Sequence, residues 1–260
     1  MNIKMHGYYD FFSHHHPVDG EPYIDCYSDN FVATEEIHPN SIALMIEPRP
    51  IEPRGYRFLL QDNNWQKFKY IFTHDSELLQ LPNAKFVTNF SIYDWSDIPK
   101  TKFCSMISSD KEMCELHIAR KKLARELKGK VDVFGTIDGG ERVDTYTAHA
   151  PYRYAVIMEN YIDDYWFTEK ILNCFANKVV PIYYGARKIY EFFNGESILR
   201  MNSIDGLKDC VNVMSGDYGI YWYESRHAAI EDNYRRVGKY ENLETWFFNE
   251  YGGLLNDLHS

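Results

Sequence analysis

The chain of 260 residues lacks the features that mark secreted and membrane proteins. Its five cysteines are widely and irregularly spaced, and no C-x-x-C pair occurs among Cys26, Cys104, Cys114, Cys174 and Cys210. Such a set is typical of reduced thiols and not of a disulfide framework. No apolar run approaches the length of about 18 residues that a membrane span needs, and the N-terminus carries no apolar signal-peptide core. We therefore expect a cytoplasmic protein without a membrane span.

Positive charge is also scarce. The sequence has 28 lysines and arginines against 38 acidic residues, which gives a formal net charge of −10 at pH 7. This balance argues against nonspecific binding to nucleic acid or to an acidic membrane surface. A phosphate-bearing ligand would need a local basic site. Aromatic residues, by contrast, make up 16% of the chain, and their rings can line grooves that bind sugars.

The second half of the chain alternates between strand and helix patterns. Apolar runs of strand length occupy residues 102–108, 131–136, 154–160 and 178–185. Apolar positions recur with a helical period over residues 111–130, and a second helix begins near Thr168. This alternation predicts an open parallel α/β sheet. The tail from residue 204 onward is predicted to be mostly helical.

The first hundred residues give a weaker pattern. Short strands are predicted near residues 2–7, 41–47, 69–74 and 85–88, with a short helix at residues 75–81. Residues 16–31 are rich in turn formers and are predicted to form loops. Three prolines in residues 48–55 predict the absence of regular structure there.

Two charged residues stand where the second predicted helix begins. Parallel sheets bind ligands beyond the carboxyl ends of their strands, and both "MEN" (158–160) and "FTEK" (167–170) fall at that edge. A lysine is normally unfavourable at a helix N-terminus, so Lys170 makes sense if a phosphate lies in front of it. Glu169 can accept hydrogen bonds from the two hydroxyls of a ribose. The alternative is a helix-start acid beside a solvated lysine.

A longer run around these residues resembles a known motif. It contains Tyr152-Arg153-Tyr154, Glu159-Asn160, Trp166-Phe167-Thr168-Glu169-Lys170 and Val180-Pro181 through Gly185, in that order. The run is similar to the donor-binding motif of the α1,3-fucosyltransferases, the family-10 glycosyltransferases. Upstream, residues 117–135 resemble the basic helix of that family and the Val-Asp-Val-aromatic-Gly strand that follows it.

The resemblance implies an α/β fold of GT-B type, with two facing Rossmann-like domains, open parallel sheets and a small N-terminal domain. Residues 1–100 would form the acceptor side, and residues 101–260 the nucleotide-sugar domain with a helical tail. The donor would be GDP-fucose.

The resemblance also assigns the donor contacts. Lys170 and Arg120 would hold the pyrophosphate and Glu169 the ribose, while Tyr152 and Asn160 would line the nucleotide pocket.

One residue departs from the family pattern. Trp166 stands where the family usually has tyrosine, and an indole can donate one hydrogen bond but has no hydroxyl. Tyr165 could supply the phenol from the neighbouring position. The departure leaves open the use of another GDP-sugar.

The general base is predicted in the N-terminal half. Glu47-Pro48 resembles the Glu-Ser-Pro turn that carries the proposed base of the family, and Glu52 is the alternative. Inverting transfer needs such a carboxylate to take the proton of the acceptor hydroxyl. With no metal, Lys170 and Arg120 would supply the charge that stabilises the leaving GDP. A carbohydrate-binding protein that kept the fold without catalysis is the rival hypothesis.

Two other polar clusters have simpler interpretations. Three consecutive histidines, His14 to His16, cannot all face one ion, so we interpret them as a polar loop and not as a metal site. Asp163 and Asp164 are interpreted as loop or helix-capping acids and not as a metal-binding pair.

Overall fold

A computed structural model describes residues 1–258 of the chain, which divide into two compact units. The first unit comprises Met1–Asn89 together with the C-terminal segment that begins at Asn242, and the second comprises Phe90–Glu241. The predicted domains, 1–100 and 101–260, differ from this division chiefly in the C-terminal segment. That segment belongs to the first unit because it covers one face of the first sheet.

The first unit contains a parallel sheet of five strands in sequential order, β1-β2-β3-β4-β5. The strands are β1 (Ile3–His6), β2 (Ile24–Ser28), β3 (Ser41–Met45), β4 (Tyr70–Thr73) and β5 (Ala84–Phe86). Two α-helices accompany them, α1 (Pro53–Leu60) and the C-terminal α8 (Leu243–Asn256). Strand β3 is the central strand.

The two faces of this sheet are covered by different parts of the chain. Right-handed connections between sequential strands all lie on one face, and there Ile71 packs in one cluster with Tyr56 and Leu59 of α1. The next residue of β4, Phe72, points to the other face and contacts the Phe247 and Tyr251 rings of α8, with centroid separations of 4.6 and 5.0 Å. Helix α8 therefore completes the core of the first unit.

Three predictions for the first unit were wrong. Strand β2 lies inside the predicted loop of residues 16–31, where all five of its residues are buried and Asp25 bonds to His6 at 2.7 Å. Helix α1 begins inside the proline-rich stretch because Pro53 occupies its first turn, where a missing N–H costs nothing. Residues 75–81 form only a short 3₁₀ turn, Leu78–Gln80.

The second unit contains a parallel sheet of five strands in the order β10-β9-β8-β6-β7. Its strands are β6 (Lys102–Ile107), β7 (Asp132–Phe134), β8 (Tyr152–Met158), β9 (Val180–Tyr184) and β10 (Leu199–Arg200). Its helices are α2 (Glu115–Leu127), α3 (Thr145–His149), α4 (Glu169–Ala176), α5 (Ile204–Met214), α6 (Asp217–Ser225) and α7 (His227–Arg236). The predicted α/β class with open parallel sheets is confirmed.

Short 3₁₀ segments connect several of these elements. They are Asp29–Val32, Asn64–Lys67 and Leu78–Gln80 in the first unit, and Ile137–Gly139, Ile189–Glu191, Gly195–Ser197 and Val237–Tyr240 in the second. Across residues 1–258, no helix is both long enough and apolar enough to cross a membrane.

Candidate functional site

The second sheet has a topological switch point between β6 and β8. From β6 the chain passes through α2 to β7 on one side, and β8 then lies on the other side of β6. In such sheets the loops at the carboxyl ends of these two strands separate and leave a crevice for a ligand. Helix α2 follows β6 and helix α4 follows the loop after β8, so both helix starts face this edge. The Cys114 thiol, at the start of α2, contacts the Asn160 carbonyl at 3.3 Å and ties the two sides together.

Glu159 organises the start of α4. It directly follows β8, is fully buried, and accepts hydrogen bonds from the Thr168 backbone N–H at 3.1 Å and from the Thr168 hydroxyl at 2.9 Å. Burial raises the pKa of Glu159, and the nearby Lys170 ammonium opposes that shift. The family resemblance assigns no role to Glu159. An acid directly after a buried apolar strand was the signal that could have identified it.

Lys170 lies among three oxygens. Its Nζ is 2.9 Å from the Thr168 hydroxyl, 3.2 Å from Glu169 Oε1 and 3.3 Å from Glu159 Oε2. Burial works to lower the pKa of Lys170, but the two carboxylates outweigh it and hold the pKa above its ordinary value. For Glu169, burial works to raise the pKa and the Lys170 ammonium outweighs it, so that pKa is lowered. The pair is therefore ionised at neutral pH and half-buried at the helix start.

Gly185 permits the close packing behind Glu159. A Cβ built on this glycine would lie 2.3 Å from the Tyr183 hydroxyl and 2.7 Å from Glu159 Cγ. Real Cβ contacts are not this short, so a side chain here would displace Glu159. This explains why the motif ends on a glycine directly after β9.

Arg120 reaches the same edge from α2. The residue is buried, at 7% exposure, and Nη1 donates to the Met158 carbonyl at the end of β8 at 3.0 Å. Burial lowers the pKa of Arg120, and the Glu159 and Glu169 carboxylates oppose that change. The structure therefore brings Arg120, Glu169 and Lys170 together around Glu159.

Asn160 and Trp166 are bonded to each other. The Trp166 indole is buried, and its N–H donates to Asn160 Oδ1 at 3.0 Å. The indole N–H is thus used to hold the loop between β8 and α4. The phenol of Tyr165 instead accepts a hydrogen bond from Lys188 Nζ at 2.8 Å, on the side of the loop that packs against the residues after β9.

Tyr152 is not part of this group. It is the first residue of β8, pairs with Lys102 at the start of β6, and donates to Asp132 at 2.7 Å. At about 3.3 Å per residue, the length of β8 separates Tyr152 from the carboxyl edge by roughly 20 Å. The prediction that Tyr152 lines the nucleotide pocket does not fit this geometry. Its ring is buried and supports the amino-terminal edge of the sheet.

In the first unit, Glu47 lies just beyond the carboxyl end of the central strand β3. Its backbone N–H donates to Asp29 Oδ1 at 2.9 Å, and its carbonyl accepts from the Tyr56 hydroxyl at 2.6 Å. Both backbone groups are therefore fixed by other elements. These two contacts do not involve the half-buried side chain of Glu47. Glu52, the alternative base, precedes α1 and has a buried Oε2 without a hydrogen-bond partner among the described residues. Burial raises the pKa of Glu52.

Asp29 is the buried residue that holds this turn. The residue is 3% exposed, and its carboxylate accepts from the Ile46 and Glu47 N–H groups at 2.8 and 2.9 Å. Its own backbone has a left-handed φ of 50°. Burial, with smaller contributions from Glu47 and Glu52, raises the pKa of Asp29 to about 7. Asp29 stands in a stretch predicted to be a loop, so no local sequence pattern identifies it as a site residue.

The raised pKa makes the stability of the first unit depend on pH. Asp29 binds its proton more tightly in the folded state than at its ordinary pKa of 3.8, so unfolding becomes easier as the pH rises from about 4 to 7. Asp29→Asn keeps the accepting oxygen and removes the titration. From pH 4 to pH 8, its unfolding free energy should therefore gain up to about 4 kcal/mol relative to wild type. Hydrogen exchange of peptides covering residues 24–47 measures this. The same pH dependence of the unfolding free energy in Asp29→Asn and wild type would contradict this prediction. Asp19→Asn, in an exposed loop, is the control and should follow wild type.

The remaining polar clusters have partners within their own units. In the first unit, Glu244 of α8 bonds to His14 Nδ1 at 2.7 Å and to His15 Nδ1 at 2.9 Å. In the second, Arg187 Nε donates to Asp164 at 2.7 Å, and its backbone N–H donates to the Asp163 carbonyl at 2.9 Å. These contacts hold loops to neighbouring elements.

The decisive comparison concerns the second unit. Residues 98–221 match the sequence profile described as "Glycosyltransferase family 10 (fucosyltransferase) C-term", and the matched segment contains β6 through β10 and the Arg120, Glu169 and Lys170 group. The second unit belongs to glycosyltransferase family 10. The protein is therefore a glycosyltransferase, and the edge described above is its candidate nucleotide-sugar site.

Solved structures agree with this fold. An α1,3-fucosyltransferase solved with GDP is 13% identical, with a TM-score of 0.57 over 94% of this chain and 80% of that one. An α1,3-fucosyltransferase solved with GDP-fucose is 14% identical, with a TM-score of 0.58 over 91% of this chain and 78% of that one. A search among curated protein sequences finds no match. The chain thus has the GT-B type of α/β fold.

Proposed function

We propose that this family-10 enzyme transfers L-fucose from GDP-fucose to a hydroxyl of a carbohydrate acceptor, with inversion at the sugar C1 and without a metal ion. The observation that carries the proposal is the convergence of Arg120, Glu169 and Lys170 at the switch point of the second sheet. Similar proteins have been solved with GDP and with GDP-fucose, which supports GDP-fucose as the donor.

The charges at this edge suit a departing nucleoside diphosphate. As the bond between the sugar and the diphosphate breaks, negative charge develops on the phosphate oxygens, and preorganised cations stabilise it. Lys170 and Arg120 supply two such cations at the start of α4 and on α2. Glu169, with its side chain partly exposed, can accept hydrogen bonds from the ribose hydroxyls. In this proposal these cations take the place of a metal ion, and no other cofactor takes part.

The acceptor hydroxyl needs a base, and Glu47 is our candidate. It stands at the carboxyl end of the central strand, and contacts from Asp29 and Tyr56 fix its backbone. The carboxylate takes the proton as the acceptor oxygen attacks C1 and the bond to the diphosphate breaks. The same unit has a cavity of about 570 Å³. Its lining includes Asn30, the residue after Asp29, and the aromatic residues Tyr8 and Phe31. We place the acceptor sugar there, because aromatic rings can stack on the apolar faces of sugars.

A ligand series tests the donor assignment. GDP-fucose and GDP should raise the melting temperature of the protein, and UDP-sugars should not. GDP-mannose is the arm that tests the other GDP-sugar hypothesis, which rests on Trp166 in place of tyrosine. Stabilisation by UDP-sugars alone would overturn the proposal.

Turnover of the donor then tests catalysis. Fucose release from GDP-fucose, measured with and without EDTA, should be equal in both conditions. Loss of turnover in EDTA would contradict metal independence. Binding without any turnover, in the presence of a panel of oligosaccharide acceptors, would favour the carbohydrate-binding hypothesis.

A further inference from the structure

Three buried polar atoms near the switch point have no protein partner among the described residues. They are Ser108 Oγ, His117 Nδ1 and Arg120 Nε, and their residues are 2%, 5% and 7% exposed. Ser108 directly follows β6, and its backbone N–H is fixed by the Phe134 carbonyl at 2.9 Å. An unsatisfied buried polar atom costs about 1–3 kcal/mol. Three of them along one strand end and the helix that follows it indicate a ligand that supplies acceptors.

His117 and Arg120 belong to the same part of this crevice. They are three residues apart on α2, so their side chains are neighbours on one face of the helix. The charged groups that act on the His117 imidazole are Arg120 of its own helix, Lys111 of the preceding loop and Lys170 of α4. All three are cations. The Glu159 and Glu169 carboxylates pair with Lys170, and neither is among the groups that shift the pKa of His117.

The cations and the burial together keep His117 neutral. Burial first, and then the three cations, lowers the pKa of His117 to about 4. A neutral imidazole can donate through one ring nitrogen, and a serine hydroxyl can donate as well. The ligand that fits these donors is rich in negatively charged oxygens.

We propose that His117 and Ser108 bind the diphosphate of the nucleotide-sugar donor, next to Arg120 and Lys170. The inference rests on the proposed function, and it adds two residues that the donor-binding motif does not contain. His117 donates a hydrogen bond to a phosphate oxygen, and Ser108 donates its hydroxyl to the same group. Neither residue stands out in the sequence by type or spacing.

Diphosphate binding should change the protonation of His117. A bound diphosphate offsets the positive charge around His117 and thereby raises the pKa of its imidazole. At about pH 5.5, which is above the pKa of His117 in the ligand-free protein and near the ordinary range of histidine, binding should then be accompanied by uptake of a proton. GDP-fucose is a suitable probe because its diphosphate is esterified at both ends and does not itself titrate near this pH.

Calorimetry of GDP-fucose binding without acceptor, in two buffers of different ionisation enthalpy, tests the proposal. Wild type should take up protons. His117→Asn should lose this uptake and bind about tenfold more weakly, since a hydrogen bond to a charged group is lost or lengthened. His227→Asn, which removes an exposed histidine of the same unit, should behave as wild type. Unchanged affinity and uptake in His117→Asn would overturn the proposal.

Ser108→Ala keeps the test independent of any folding defect in the His117 variant. Removing an unpartnered buried hydroxyl should leave the melting temperature unchanged or raised, while the affinity for GDP-fucose falls several-fold. Wild-type affinity in Ser108→Ala would remove Ser108 from the proposal. A wild-type protein that bound no GDP-fucose would instead overturn the donor assignment itself, and this inference with it.

Discussion

Lys170→Met should abolish measurable GDP-fucose binding and also destabilise the second unit. Losing a cation that contacts a phosphate in a half-buried site weakens binding by about a hundredfold or more. The structure adds the second effect, because Lys170 Nζ lies 3.3 Å from the fully buried Glu159. Leaving one partner of a buried ion pair alone costs roughly 3 kcal/mol. A loss of binding in this variant therefore cannot by itself be assigned to the phosphate contact.

The double variant Glu159→Gln/Lys170→Met separates the two effects. The neutral amide keeps an oxygen that accepts from Thr168 and removes the uncompensated charge, so the melting temperature should return toward that of wild type. Binding of GDP-fucose, followed by calorimetry, should stay absent. Lys122→Met, at an exposed position on α2, is the matched control and should change neither property. Restored binding in the double variant would show that Lys170 acts only as the counter-ion of Glu159.

The sequence predicted the second unit well because its signals are local. An apolar run ending in Glu159, a capped helix start at Thr168 and a strand ending in Gly185 are each visible within a few residues. Their assembly at one edge follows from the topology of a parallel sheet. A role that depends on which end of a strand a residue occupies is harder to predict. Tyr152 belongs to the motif in sequence but stands at the amino-terminal edge.

The first unit was harder to predict because its structure depends on distant contacts. Strand β2 lies in a stretch rich in turn formers, and burial between β1 and β3 overrides that local preference. Helix α8 is separated by most of the chain from the sheet that it covers. The pKa values of Asp29 and His117 are shifted by burial and by charged residues that lie elsewhere in the sequence. No local sequence pattern predicts such contacts.

Glu47→Gln should reduce fucose transfer by about a hundredfold to ten-thousandfold while the affinity for GDP-fucose stays that of wild type. The size of the loss is that of a general base. The variant is a clean test because Asp29 and Tyr56 bind the backbone N–H and carbonyl of residue 47 and not its side chain. Glutamine therefore keeps the two backbone contacts of the turn and removes the ability to accept a proton.

Glu52→Gln is the control that decides between the two carboxylates. Glu52 has the features of a base in its raised pKa and its unpartnered Oε2, but it lies in a loop after Pro50 and not at a strand end. If Glu47 is the base, Glu52→Gln should keep transfer within a few-fold of wild type. Steady-state transfer rates with saturating GDP-fucose measure both variants. The reverse pattern, normal transfer in Glu47→Gln and loss in Glu52→Gln, would assign the proton to Glu52 and place the acceptor hydroxyl at the start of α1.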